Sequence, residues 1–135
     1  MARPRYETPT PAELEVLTVI WERGECTVRE VMDTLNRQRK RAYTSVMSLL
    51  NVMTEKGLLK RRLQGRAFLY SARVGRRMTR SRLLGDLLRR AFEGSPTALV
   101  AQLLDQAQPT EKELEKIRTT IEEYKEADEG NSPCR

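Results

Sequence analysis

Thr44, Ser45 and Ser48, with Met47 among them, bring short hydroxyls and a flexible apolar group together in the stretch "AYTSVMSLLNVMTEKGLL". Hydroxyls on short side chains approach base edges closely and bond either a donor or an acceptor. Arg39, Lys40 and Arg41 come just before them, and Lys60, Arg61, Arg62 and Arg66 follow shortly after. Cations on both flanks suit a polyanion, because phosphate neutralisation is the main source of affinity for nucleic acid. A face meant only for water would usually carry long Lys and Glu side chains instead. The chemistry implied is recognition rather than reaction. With 0 histidines the chain lacks the usual general base near neutral pH and the commonest metal ligand. It shows no Gly-rich phosphate loop, no nucleophile elbow and no Cys/His cluster, and Cys26 and Cys134 lie far apart. No enzyme activity, metal or cofactor is expected.

The elements that must hold these residues are legible from their caps and periods. In "TPAELEVLTVIWERG", Thr10 caps a first helix, Pro11 takes its first position and Glu13 completes a capping box. Leu14, Leu17 and Trp21, flanked by Val16 and Ile20, form its apolar stripe, and Gly24 ends it. In "TVREVMDTLN", Thr27 and Glu30 repeat the box, with Val28, Val31, Met32 and Leu35 facing one way. A third helix follows the basic turn "RQRKR". At about 100° per residue, Val46, Leu49, Leu50 and Met53 fall in one narrow arc, while Thr44, Ser48, Asn51 and Glu55 fall opposite. After Lys56-Gly57 the period changes to two. "LLKRRL" and "RAFLYSA" flank Gln64-Gly65 as a hairpin, with Phe68 and Tyr70 turned toward the helices. Three helices and a cationic hairpin in this order predict a winged helix-turn-helix, the third helix entering the major groove and the hairpin reaching the flanking backbone.

Charge divides the chain in the same way. Residues 1–76 hold 15 Lys and Arg against 8 Asp and Glu, whereas residues 77–135 hold 10 against 11. A basic half joined to a neutral half suggests a nucleic-acid-facing domain with an appendage that does something else. No run approaches the roughly 20 apolar residues that cross a bilayer, and "MARPRYETPTP" lacks the apolar centre of a secretory signal. The default expectation is a soluble cytoplasmic protein without membrane insertion.

The neutral half reads as three amphipathic helices. Leu83, Leu84, Leu87 and Leu88 form one stripe, Leu99, Val100, Leu103 and Leu104 a second after Ser95-Pro96, and Ile117, Ile121 and Tyr124 a third after the box of Thr110 and Glu113. Such helices bury little area alone; pairing two copies would complete a core. They could instead fold back on the basic domain of the same chain. The expected architecture is mainly α: a winged helix-turn-helix of three helices plus a two- or three-stranded wing sheet over residues 1–76, a three-helix dimerisation region over 77–127 and a flexible tail over 128–135.

"AYTSVMSLLNVMTEKGLL" followed by "GRAFLYSA" resembles the signature of the BlaI/MecI penicillinase-repressor family, whose relatives include copper-responsive CopY repressors. "ELEVLTVIWERGECTVREV" resembles that family's first two helices, and the likeness extends over residues 10 to about 126. The resemblance implies a homodimeric transcriptional repressor on palindromic DNA operators. It implies DNA contacts by Thr44, Ser45, Met47 and Ser48 at the start of the third helix and by Arg66 at the wing, to which the basic residues Arg39, Lys40, Arg41 and Arg62 add electrostatic affinity. It also implies relief of repression by cleavage in the dimerisation domain, downstream of a membrane sensor protease; the corresponding bond here is Gln102–Leu103, without the family's Asn-Phe. Val52 stands where relatives often carry Arg, and Cys134 is not part of a CopY-type cysteine cluster. Two rival readings are a ligand-responsive winged-helix regulator and a winged-helix adaptor that binds protein rather than DNA.

Overall fold

The computed structural model describes residues 8–131. Its elements run α1 (Pro11–Arg23), α2 (Val28–Leu35), α3 (Tyr43–Lys56), β1 (Leu59–Gln64), β2 (Ala67–Ala72), α4 (Arg76–Phe92), α5 (Pro96–Ala107) and α6 (Glu111–Asn131). The three sequence-read capping boxes are all formed. Thr10 Oγ1 accepts from the Glu13 amide at 3.2 Å and Glu13 Oε1 from the Thr10 amide at 2.9 Å. Thr27 and Glu30 repeat these bonds, as do Thr110 and Glu113 at 3.1 Å each way. Each cap contributes about 1 kcal/mol to its helix. Gly57 ends α3 in the left-handed region at φ 89°, where a side chain would be strained.

Helices α1 to α3 and the hairpin enclose one core. Val16, Leu17, Val31, Val46, Leu50, Met53, Leu59 and Tyr70 are its fully buried side chains, with Cys26 among them. The arc read for α3 is the arc that packs, except that Leu49 is only half-buried. On α1 the buried stripe is rotated from the expected one. Glu13, Val16, Leu17, Val19 and Ile20 are buried, while Leu14 and Trp21 sit at its edge. Trp21 still anchors, since its Nε1 donates to the Val74 carbonyl at 3.0 Å and Arg76 lies over its ring.

The sheet is two-stranded and antiparallel, with Arg61 opposite Tyr70 and Leu63 opposite Phe68. A third rung is a single bridge: the Cys26 amide donates to the Tyr70 carbonyl at 3.1 Å and the Tyr70 amide to the Cys26 carbonyl at 2.8 Å. The turn is one residue later than expected. Gln64 pairs with Ala67, so the loop is Gly65-Arg66, and only Gly65 has positive φ, 64°. Glycine first in a two-residue loop matches a type II′ turn, whose twist suits a hairpin. Phe68, expected to pack on the helices, is instead 38% exposed beyond the edge of the core.

Two ion pairs close the first unit. The buried Glu13 receives Lys56 Nζ at 2.7 Å, joining the end of α3 to the start of α1. Arg41 reaches Glu15 at 2.7 Å.

The chain forms two compact units that divide between Asp86 and Leu87, within α4. In the second, α5 begins at the Ser95 cap and α6 at Thr110. None of the described residues from Leu87 onward is buried. Helix α6 continues through residues 128–131, which the sequence reading assigned to a frayed tail. The rest of that tail, with Cys134, lies outside the described residues.

Candidate nucleic-acid interface

Helix α3 is built to leave one side open. Val46, Leu50 and Met53 hold it to the core, and this turns Thr44, Ser48, Asn51 and Glu55 to the outside. Thr44, Ser45, Met47 and Ser48 are all exposed. Unlike α1 and α2, α3 has no side-chain cap; its N-cap is Ala42. The amides of such a first turn favour an anionic partner. The preceding turn is fixed by Asn36 Oδ1, which accepts from the Arg41 amide at 2.9 Å.

The cations read from the sequence separate into two groups. Arg39 and Lys40 are exposed beside the start of α3, and Arg66 is exposed at the hairpin tip. Arg41 differs from the expectation. Its side chain is only 12% exposed, and its guanidinium donates to Glu15 Oε1 at 2.7 Å and to the Leu35 carbonyl at 3.0 Å. It fastens the turn to α1 and α2, because a carboxylate and a helix-end carbonyl converge on it from inside. Arg62 is exposed, but both its Nε and its Nη2 donate to the Glu25 carboxylate at 2.9 Å. Hydrogen bonding from Arg62 holds the Glu25 carboxyl below its ordinary value, and the same bonds raise the guanidinium's. Burial pushes the Cys26 thiol up, consistent with a core side chain.

Tyr43 is a group on this surface that the sequence did not single out; Asn51 and Arg61 were named there, but not as partners of each other. Tyr43, the first residue of α3, is 43% exposed, with the Arg29 guanidinium 6.0 Å from its ring centroid. Asn51 Oδ1 accepts from Arg61 Nη1 at 3.2 Å, and the Arg61 guanidinium lies 4.3 Å over the Phe68 ring. The signal for Arg61 was available: the two-residue period puts it on the face of Tyr70, opposite in register, and so toward the helices. Val52 is 44% exposed. Among the described residues no group of three or more His, Cys, Asp or Glu could hold a metal ion, and no helix is long and apolar enough to cross a membrane.

Three helices, an outward-facing third helix and a hairpin beside it define a winged helix-turn-helix protein of the kind that regulates transcription. The family model described as penicillinase repressor matches residues 9–123. The chain therefore belongs to the penicillinase repressor family, a family of transcriptional repressors rather than enzymes. It is 32% identical over 123 residues to the transcriptional regulator BlaI of Mycobacterium tuberculosis, covering 90% of this chain and 87% of that protein. It is 25% identical over 114 residues to the penicillinase repressor of Bacillus licheniformis, covering 84% and 89%. Among solved structures, the DNA-binding domain of the repressor BlaI matches with TM-score 0.47 and 28% identity over 50% of this chain and 83% of that one. The monomeric form of Bacillus licheniformis BlaI in complex with the blaP half-operator matches with TM-score 0.46 and 28% identity over 52% and 88%.

Proposed function

We propose that the chain is a homodimeric repressor that binds palindromic DNA operators, with α3 in the major groove and the hairpin on the flanking backbone. The observation that carries the DNA reading is the exposed row of Thr44, Ser45, Met47 and Ser48 on a helix whose opposite side is locked into the core. Arg39, Lys40 and Arg66 supply phosphate contacts. Residues 1–76 serve as the DNA-binding domain and 77–127 as the dimerisation region. The half-exposed apolar side chains of α4 to α6 support the dimer: Leu84, Leu87, Val100, Leu103, Ile121 and Tyr124 are 42–72% exposed, and Leu83, Leu88, Leu99, Leu104 and Ile117 are partly so. Repression is relieved by a membrane sensor protease that cuts at Gln102–Leu103. That bond lies in the exposed middle of α5, so cutting it requires local unwinding and removes an interface helix.

Selection of bound sequences from random duplex DNA tests this reading. A palindrome with half-sites about one helical turn apart is expected, and the absence of any enriched palindrome would refute it. An adaptor that binds protein alone would show no salt-dependent duplex binding. Arg66→Ala should weaken specific and random duplexes alike and reduce the slope of log K against log salt by about 0.9; an unchanged slope rules out a tip–phosphate contact. Ser48→Ala should relax preference at particular base positions, where a mismatched base pair costs the wild-type chain about 1–3 kcal/mol. A uniform loss across all sequences would make Ser48 a residue that only positions the helix.

A further inference from the structure

The hairpin carries two adjacent arginines whose environments are opposite. Successive residues of a strand point to opposite faces. Arg61, opposite Tyr70, shares the face turned to α3, and Arg62, opposite Leu69, takes the other. The two faces supply different partners. Arg62 meets the Glu25 carboxylate with two hydrogen bonds of 2.9 Å, a fork-on-carboxylate pair with no net charge. Among the described residues Arg61 meets only neutral groups, the Asn51 amide oxygen at 3.2 Å and the Phe68 ring at 4.3 Å.

A carbonyl and a ring face orient a guanidinium without cancelling its charge. The ring face and the amide oxygen hold the guanidinium from two sides. An arginine offers five N–H donors, so the single bond to Asn51 leaves an edge for a further acceptor. The position is also distinctive. Asn51 lies on the outer side of α3, and Phe68 lies on the hairpin, so Arg61 spans the gap between the two. If α3 occupies a major groove, one phosphate strand runs along that gap.

We infer that Arg61 is the phosphate-binding arginine of the hairpin strands, that Asn51 and Phe68 position it, and that Glu25 neutralises Arg62. The inference rests on the DNA-binding reading above and deepens it. It also accounts for the exposure of Phe68: the ring forms the floor under a cation that DNA would cover.

The test is binding of the full chain to its selected duplex across about 50–200 mM salt, with thermal unfolding as a control on folding. Arg61→Ala should lower affinity about tenfold and reduce the salt slope by about 0.9. Arg61→Lys keeps the charge but not the planar fork of donors, so it should retain the slope and lose part of the affinity. Phe68→Leu should do the same. The neutral double variant Glu25→Gln with Arg62→Gln should match the wild type in both slope and affinity. An Arg61→Ala protein with the wild-type slope overturns the inference, as does a flattened slope in the double variant. A wild-type chain without salt-dependent duplex binding would instead overturn the functional reading on which it rests.

Discussion

Leu103→Asp is expected to split the proposed dimer and lower affinity for a two-half-site operator by about 10²- to 10⁴-fold, while affinity for an isolated half-site stays unchanged. The loss is one of linkage rather than of contact. With two heads joined, binding of the first makes the second intramolecular; once they separate, each half-site is bound at its own weaker affinity. Leu103 is the position of choice because it is 52% exposed near the middle of α5, between Val100 and Leu104 in the apolar stripe. The second unit has no buried residue among those described, so its helices lack a closed core of their own. A carboxylate at Leu103 would have to be desolvated without a partner for two copies to close on this stripe. Sedimentation equilibrium, together with titration of half-site and full-site duplexes, checks the prediction. A variant that stays dimeric and holds the full operator with wild-type affinity would remove Leu103 from the interface.

Lys56→Met should destabilise the first unit by about 3 kcal/mol, without any change in the residues that face outward from α3. Glu13 is only 2% exposed, and its two carboxylate oxygens divide their work between the Thr10 amide at 2.9 Å and Lys56 Nζ at 2.7 Å. Removing the ammonium leaves a buried carboxylate without its counter-charge, which costs far more than an exposed pair is worth. The midpoint of thermal unfolding should fall by roughly 15 °C, given about 4–8 °C per kcal/mol in a domain of this size. Adding Glu13→Gln should recover most of the loss, because the amide keeps the capping-box bond and removes the charge. If the single variant melts like the wild type, the pair is not a structural tie.

Much of the fold was legible because it rests on short-range chemistry. Each capping box joins residues three apart, and each helix or strand announces itself by its own period. The outward set on α3 was legible for the same reason, since a helix with Val46, Leu50 and Met53 buried must carry Thr44 and Ser48 outside. The hairpin was read less well. Its turn is Gly65-Arg66 rather than Gln64-Gly65, because the register is set by pairing across the strands as well as by the turn residues. Phe68 obeys the alternation, yet it is partly exposed, because the hairpin extends past the helices that cover Tyr70.

The sequence by itself determined the order of elements, the basic charge of the first half, the capping boxes and the exposed polar side of α3. Only the tertiary structure decided what each arginine does. Arg41 is bonded to Glu15 across 26 positions, Arg62 to Glu25 across 37, and Arg61 to Asn51 across 10. Composition counts all three as the same positive charge. Whether such a charge is neutralised by a carboxylate or kept by a carbonyl and a ring depends on which distant residues the fold brings within 3 Å or so, and no local period encodes that.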